Sequence, residues 1–202
     1  MSYPPSKAPP VFLIAILAVV AASSFYLGYK LSPQQQFGTA GAKLISSPDA
    51  EDYFVSLIDS ANESIDVEMY LFTNKRLATT LIAAKNRGVS VRIILERRIE
   101  GETSDDVIAM LRSAGVDMRY ASMDFRLTHS KFLVIDKRVS AVGSHNWTSA
   151  AMTKNREASV QVEGPLFASQ LSSLFDQDWS AGSAVSAGFD AYIYKEPMFI
   201  SA

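Results

Sequence analysis

Short segments of strand character alternate with longer segments of helical spacing, and this alternation restricts the fold more than any other feature. The strand-like segments are 43–46, 64–72, 89–95, 116–120, 132–135, 139–142 and 158–162. The helix-like segments are 49–61, 74–86, 104–115 and 165–179. Strands that alternate with helices of this length form a sheet covered by helices. The sequence therefore predicts an α/β domain with a central sheet.

An uncharged apolar run precedes this pattern. Residues 11–29 carry no charge, and Lys7 and Lys30 lie on either side. The run has about the length of roughly 20 residues that a helix needs to cross a bilayer. It predicts a transmembrane anchor that leaves the larger C-terminal part outside the cytoplasm. The small residues at 20–22 are also compatible with a cleavage site. In that case the run would be a signal peptide, and the protein would be secreted or periplasmic.

The chain divides into four predicted regions. Residues 1–30 form the anchor or signal segment, and residues 31–41, rich in Gln, Gly and Pro, form a linker. Residues 42–182 form the folded domain. The helix and strand patterns stop after Gly182, so residues 183–202 are a tail without a predicted structure.

Composition excludes some kinds of site. The chain has no Cys, which rules out disulfides and Cys-based zinc or iron–sulfur centres. Its net charge is −2, with 19 basic and 21 acidic residues, of which only Lys7 and Lys30 lie in the first 30 positions. The rest of the chain is therefore acidic, which counts against a nucleic-acid-binding domain.

The residues that could carry chemistry lie in one part of the chain: His129, Lys131, Asp136, Gly143, Ser144, His145 and Asn146, with Glu157 further on. On a strand, His129 and Lys131 would point to the same face, where an ammonium could neutralise a phosphate and an imidazole could attack it. Ser144 and Asn146 supply neutral hydrogen-bond donors, and a carboxylate such as Glu157 commonly fixes a histidine tautomer.

The spacing H-x-K-x4-D-x6-G-S-x-N, here HSKFLVIDKRVSAVGSHN, resembles the signature of the phospholipase D superfamily. The resemblance covers about residues 43–179. Within the superfamily, the pattern is most similar to that of Nuc-type endonucleases and of Zucchini-type and mitochondrial phospholipase D-like proteins. It implies a mixed central sheet flanked by helices. The predicted transmembrane or signal helix and the tail fall outside it.

The resemblance also implies a role for each motif residue. His129 would attack phosphorus and form a phosphohistidine, while Lys131, Ser144 and Asn146 would bind the phosphoryl oxygens. Glu157 would hold His129 in its reactive tautomer, and Asp136 would have a structural role. No metal or other cofactor is implied, because the Lys and Asn donors would stabilise the developing charge.

A single motif copy predicts a homodimer. The family mechanism uses two histidines, and this chain has only His129 and His145. His145 lacks the following x-Lys and is expected at the rim of the site. We therefore expect the His129 residues of two subunits to meet across a two-fold axis.

The resemblance leaves the substrate open. The first hypothesis is an endonuclease on DNA or RNA, with predicted backbone contacts from Lys75, Arg76, Arg97, Arg98, Lys154 and Arg156. The second is a phospholipase D-type hydrolase of phosphatidylcholine or cardiolipin, which the N-terminal segment would hold at the membrane. The third, a catalytically inactive phosphate-binding scaffold, is disfavoured by the intact motif.

Overall fold

The computed structural model describes residues 41–98 and 105–185, together with helical residues at positions 15–16, 18–21, 23–24 and 26. Met1–Thr39 and Ala40–Ala202 are two separate compact units. Within the described part of the chain, no helix has the length and hydrophobicity needed to cross a membrane. Much of the predicted span at 11–29 and nearly all of the linker lie outside the described residues.

The folded unit contains eight strands and five helices within the described ranges. The strands are β1 (Ala42–Ser46), β2 (Ser64–Met69), β3 (Ser90–Leu95), β4 (Asp117–Tyr120), β5 (Lys131–Ile135), β6 (Val139–Gly143), β7 (Ala158–Glu163) and β8 (Ser183–Ala184). The helices are α1 (Ala50–Asp59), α2 (Lys75–Asn86), α3 (Asp105–Ser113), α4 (Ser149–Thr153) and α5 (Pro165–Ala181).

The strands form one mixed sheet in the order β1-β7-β6-β5-β2-β3-β4-β8. The β2–β3 and β3–β4 pairs are parallel, and the other pairs are antiparallel. The prediction of a mixed sheet flanked by helices is confirmed. The sheet also continues past the predicted domain end at Gly182, because Ser183 and Ala184 pair with β4. The remainder of the predicted tail, from residue 186, lies outside the described residues.

Both faces of the sheet are covered, which explains why β5 is buried along its whole length. On one face, Leu133 and Ile135 join the large core formed with α1, α2 and α3. On the other face, Phe132 and Val134 pack against Phe175 of α5. Side chains alternate between the faces of a strand, so a strand covered on both sides needs apolar residues at nearly every position.

The start of α2 follows a local capping rule. The side chain of Asn74 accepts a hydrogen bond from the backbone N–H of Leu77 at 3.0 Å, so Asn74 is the N-cap that the sequence predicts. Ser104, the predicted start of α3, lies outside the described residues. The short helix α4 was not predicted from the sequence.

Candidate active site

The motif residues converge because the ends of several strands meet at one edge of the sheet. The start of β5 lies beside the end of β6, where Phe132 pairs with Val142. The end of β6 lies beside the start of β7, where Gly143 pairs with Ser159. His129, Lys131, Ser144, Asn146 and Glu157 all lie at or just beyond these strand ends.

His129 lies on the loop before β5 and is exposed. Its imidazole packs edge-on against the ring of Tyr70, with 4.4 Å between ring centroids. Its neighbour Ser130 is held by the backbone N–H of Tyr70, which donates to the Ser130 carbonyl at 3.1 Å. Partial burial and the nearby Lys131 ammonium lower the pKa of His129. A lowered pKa favours the neutral imidazole, the form that can act as a nucleophile.

Lys131 is the first residue of β5, and only 8% of it is exposed. Its Nζ donates to the backbone carbonyl of His129 at 2.8 Å and lies 5.0 Å from the centre of the Tyr70 ring. Burial lowers its pKa, and the Glu157 carboxylate opposes that effect. Lys131 therefore holds a cationic group within the site and also restrains the backbone of His129.

Gly143 and Ser144 form a close contact between β6 and β7. A Cβ on Gly143 would lie 2.3 Å from Ser159 Oγ and 2.5 Å from the Ala158 carbonyl oxygen, so only glycine fits. Ser144 Oγ donates to Glu157 at 2.5 Å and accepts the backbone N–H of Ala158 at 3.0 Å. The glycine of the motif thus allows β7 to bring Glu157 next to Ser144.

Asn146 is half-buried and presents an unused amide. Its Oδ1 is buried without a hydrogen-bond partner, and the side chain makes no hydrogen bond to the described part of the chain. Buried polar groups in proteins are nearly always paired. The amide of Asn146 is therefore available to a ligand at this edge of the sheet.

Glu157 lies just before β7 and contacts neighbours other than the expected one. Its carboxylate accepts hydrogen bonds from Ser144 and, at 3.2 Å, from Asn155 Nδ2. Among the described residues, no hydrogen bond joins Glu157 to His129. Within one chain, Glu157 orients Ser144 and lies near Lys131 instead of fixing the tautomer of His129.

Asp136 lies at the opposite end of β5 from His129. Its carboxylate accepts the backbone N–H groups of Asn62, Glu63 and Ser64 at 2.8–3.0 Å. These bonds attach the β5–β6 turn to the start of β2. Burial raises the pKa of Asp136, but the three backbone N–H groups outweigh burial and lower it. The geometry therefore gives Asp136 a structural contact and no place beside the other motif residues.

The expectation that His145 lies at the rim of the site is wrong. Only 2% of His145 is exposed, and its ring nitrogens lie 2.8 Å from Ser47 Oγ and 2.7 Å from Ser159 Oγ. Its ring also packs against Phe54, with 5.5 Å between centroids. The side chain therefore lies between Phe54 of α1 and Ser159 of β7. Both ring nitrogens of His145 thus have serine partners, and almost none of the side chain is open to solvent.

Three of the six basic residues predicted to contact nucleic acid are already paired. Lys75 binds Asp106 at 2.8 Å, and Arg76 binds Glu51 and Asp52. Arg98 is largely buried against Glu96, so it cannot contact a phosphate backbone as expected. Of the other predicted contacts, Arg156 donates to the Ser47 carbonyl at 3.1 Å.

Sequence reasoning missed Tyr70 and Glu96, which lie near the His129 loop, and it assigned Arg98 to phosphate contact instead of to Glu96. Tyr70 and Glu96 follow directly after the parallel strands β2 and β3, and the carboxyl ends of such strands are a common place for functional groups. The position of Tyr70 and Glu96 after these strands could have identified them as candidate site residues. Their proximity to His129 follows only from the pairing of β2 with β5.

Comparison with known proteins gives a consistent family assignment. The family model described as "Cardiolipin synthase, PLD-like domain" matches residues 54–179. The chain is 29% identical over 133 residues to the mitochondrial cardiolipin hydrolase of Chlamydomonas reinhardtii, a match that covers 66% of this chain and 59% of that protein. It is 31% identical to the phospholipase D of Rickettsia conorii over 63% of this chain and 60% of that one. The matches thus span less than two thirds of these relatives.

Solved structures extend the likeness. The phospholipase D family member Nuc from Salmonella typhimurium is 33% identical, with a TM-score of 0.65, over 71% of this chain and 97% of that one. NucT from Helicobacter pylori has a TM-score of 0.64 at 20% identity, over 71% of this chain and 98% of that one, which supports the shared fold alone. The folded unit therefore corresponds to nearly the whole of each of these two structures.

Proposed function

This chain belongs to the phospholipase D superfamily, and we propose that it hydrolyses phosphodiesters through a covalent intermediate on His129. The observation that carries the proposal is the pairing of an exposed, neutral-leaning imidazole at His129 with the buried ammonium of Lys131 two residues away. Asn146, whose Oδ1 is buried without a partner, would supply its Nδ2 as a donor for a phosphoryl oxygen.

In the proposed first step, an imidazole nitrogen of His129 attacks phosphorus and the bond to the leaving oxygen breaks. The leaving oxygen takes a proton from a general acid, and Lys131 and Asn146 bind the non-bridging oxygens. Water then gives a proton to the deprotonated general acid and attacks phosphorus, the P–N bond breaks, and both His129 and the acid are regenerated. This sequence is metal-independent, and we expect turnover to persist in EDTA.

We propose that a second copy of the chain supplies the general acid. The chain contains two histidines, and His145 is buried with both ring nitrogens beside serine hydroxyls. A second imidazole would therefore have to be His129 of a partner subunit. A homodimer meets this need, because two-fold symmetry places identical residues opposite each other at the axis.

We propose nucleic acid as the first substrate class. The support is the relation to Nuc at 33% identity over 97% of that structure, together with the resemblance to Nuc-type endonucleases in the motif. Lys154 and Arg156 are exposed basic residues close in the chain to Glu157, and the surface ion pairs of Lys75 and Arg76 are weak enough to yield to a phosphate.

Phospholipid is the second candidate, and a specific surface feature favours it. Met123, Phe125 and Leu127 are 41%, 57% and 40% exposed on the loop that leads to His129. Exposed apolar side chains beside a site suit contact with a lipid surface. The curated relatives are named for cardiolipin hydrolysis and phospholipase D activity. The apolar run at 11–29 would then hold the enzyme at its substrate.

A paired assay tests both candidates. The full chain, purified in mild detergent with EDTA, is incubated with single-stranded DNA, RNA and vesicles of cardiolipin and phosphatidylcholine. His129→Ala serves as the blank. Nucleic-acid cleavage that the blank lacks supports the nuclease, and release of lipid headgroup alone supports the lipase. No cleavage of any diester, and no alkali-stable phosphoryl adduct on the protein, would refute the proposed chemistry.

The apolar loop allows a sharper test of the lipid candidate. If the lipid candidate holds, the double substitution Phe125→Ser and Leu127→Ser is expected to lower turnover of vesicles at least tenfold more than turnover of a soluble diester such as bis(p-nitrophenyl) phosphate. An equal effect on both substrates would mean that the loop has no role at a lipid surface.

A further inference from the structure

Beyond its first residue, Ala121, the loop that carries His129 has little apolar packing. Residues 121–130 connect β4 to β5 without regular secondary structure. The large apolar side chains along it, Met123, Phe125 and Leu127, face solvent. A nucleophile on such a loop needs another source of rigidity, because small displacements of reacting groups reduce catalytic rates strongly.

A buried ion pair lies directly beneath this loop. Glu96 follows β3, and its side chain is 0% exposed, while that of Arg98 is 15% exposed. Both Glu96 oxygens bind the guanidinium, Oε1 to Nε and Oε2 to Nη2, each at 2.6 Å. Oε1 also accepts the backbone N–H of Arg98 at 2.9 Å. The pair is thus bidentate, which fixes its orientation as well as its distance.

The pair also binds the loop backbone at three points. Glu96 Oε2 accepts the backbone N–H of Thr128, the residue before His129, at 2.8 Å. Arg98 Nη1 donates to the carbonyl of Phe125, and Arg98 Nη2 donates to that of Ser122 at 3.3 Å. One side of His129 is therefore attached to Glu96, and the other side is attached to Tyr70 through Ser130.

The charge state of Glu96 suits a permanent attachment of the loop to the ion pair. Burial raises the pKa of Glu96, but Arg98 and the N–H groups of Thr128 and Arg98 outweigh burial and hold the pKa below its ordinary value. The carboxylate therefore stays charged across the working pH range. A buried ion pair is weak evidence of added stability, since apolar replacements often serve as well. Its hydrogen bonds to the loop are what an apolar pair could not supply.

We propose that Glu96 and Arg98 are positioning residues for the nucleophile, which hold loop 121–130 and thereby set the orientation of the His129 imidazole. The inference rests on the proposed function of His129 as nucleophile. Neither residue touches the reacting atoms. Their loss is expected to reduce the rate of the chemical step and to leave binding of the phosphodiester largely intact.

The chain offers a matched control in a second buried ion pair. Asp66 is 2% exposed and binds Arg92 in the same bidentate manner, at 2.7 and 2.9 Å. Arg92 also binds Asp176 of α5, so this pair joins the sheet to a helix and not to the loop. Asp66→Asn therefore removes a charge of equal burial without disturbing residues 121–130.

The experiment compares Glu96→Gln, Arg98→Lys and Asp66→Asn in the full chain. Glutamine keeps the size of Glu96 but places an NH₂ donor against the donors of Arg98 or Thr128. Steady-state hydrolysis of bis(p-nitrophenyl) phosphate gives kcat and KM, and urea unfolding gives stability. The imidazole Cε1–H signals report on His129 directly, because the chain has two histidines and His129→Ala identifies each signal.

We expect kcat of Glu96→Gln to fall about 10- to 100-fold with KM changed less than about threefold. The His129 signal should shift or broaden while the His145 signal stays in place. Arg98→Lys keeps the charge but cannot bind the Ser122 and Phe125 carbonyls together, so it should show the same loss of kcat. It replaces Glu96→Gln in the comparison if Glu96→Gln does not fold. Asp66→Asn should lose stability with kcat and the His129 signal unchanged.

Two outcomes would overturn the inference. One is an unchanged kcat and His129 signal in folded Glu96→Gln and Arg98→Lys. The other is an equal loss of kcat in Asp66→Asn, which would indicate a general effect of buried charge. If the wild-type chain hydrolyses no diester, the proposed function fails, and the His129 signal alone still decides whether the pair positions the imidazole.

Discussion

At the scale of the residue, the environment of His129 sets the pH dependence of the reaction. Partial burial and the Lys131 ammonium both favour the neutral imidazole. The pKa of His129 is therefore expected below the usual histidine value of about 6.5. The acidic limb of activity should therefore lie below about pH 6.5, where the nucleophile takes up its proton, and the alkaline limb should report loss of the proton from the proposed general acid.

The acidic limb of kcat/KM measures this pKa in the free enzyme. We expect its midpoint below about 6.5, and the Cε1–H shift of His129 should titrate with the same midpoint. Lys131→Gln removes the neighbouring charge, so the His129 pKa should rise in that variant by NMR even where turnover is too slow to follow. A midpoint at or above the usual value, or no change in Lys131→Gln, would contradict the electrostatic account.

Gly143 supports a second prediction at this scale. A Cβ would meet backbone atoms of β7, 2.4 Å from the Ser159 Cα, and backbone cannot move aside as a flexible side chain can. Gly143→Ala should therefore destabilise the domain by about 1–3 kcal/mol in urea unfolding and should lower kcat, because Ser144 and Glu157 lie at the same contact. Gly41→Ala, whose Cβ would meet Glu163 only at 3.8 Å, is the control. Equal stability of the two variants would argue against a steric requirement.

Motif spacing at the residue level identified groups that lie together, but it could not define their partners. His129, Lys131, Ser144 and Asn146 are near one another in sequence, so the pattern contained them. The Ser144 contact of Glu157 and the burial of His145 depend on how closely β6 approaches β7. That approach is a tertiary feature. A sequence indicates it only through Gly143, whose meaning becomes clear in the structure.

At the scale of the element, the predictable part was the identity of each strand and helix. β5 and β6 were predicted to within about one residue at each end, because apolar runs bounded by turn residues are a strong local signal. The helix α4 was missed because Ser149–Thr153 is too short to show helical periodicity. Sheet order was not predictable, since pairing between β2 and β5 joins segments far apart in the chain.

The packing of α5 on β2 creates a buried carboxylate that links stability to pH. Glu68 of β2 is 1% exposed, and both of its oxygens are buried. Burial, together with the nearby Asp178 carboxylate of α5, raises its pKa from 4.5 to about 7, although the Ser130 hydroxyl acts in the opposite direction. The native state therefore holds one more proton than the unfolded chain between these two pH values, and stability should fall as pH rises through that window.

Glu68→Gln should remove this dependence. At pH 8 the variant is expected to be more stable than the wild type by about 1–3 kcal/mol, and near pH 4 the two should be similar. Urea unfolding at both pH values measures the difference. Glu63→Gln, at an exposed position just before β2, is the control and should show no such pattern. A wild type that is more stable than Glu68→Gln at pH 8 would mean that the charged carboxylate is stabilised in the native state.

At the scale of the whole molecule, one chain supplies half of the proposed chemistry. The site at the edge of the sheet has a nucleophile and phosphate donors, and the second histidine of the chain is buried. Glu157 also makes no hydrogen bond or ion pair with His129 among the described residues. The sequence predicts a dimer only through its count of histidines. The residues of a two-fold interface follow no regular spacing in the sequence, so the interface itself could not be predicted. The homodimer remains a prediction that activity measurements can test.

Mixing experiments give the most direct test, because a dimer that needs two copies of His129 is inactivated by a single His129→Ala subunit. Wild-type and His129→Ala chains are combined at equal amounts, allowed to exchange subunits, and assayed at constant total protein. Random pairing leaves about one quarter of dimers with two wild-type subunits, so activity should fall to about one quarter and not to about one half. Specific activity of the wild type should also fall on dilution. Labelled chains verify that the subunits have exchanged. If activity then stays proportional to the wild-type share, each chain is catalytically complete. A group other than a second His129 would then protonate the leaving oxygen.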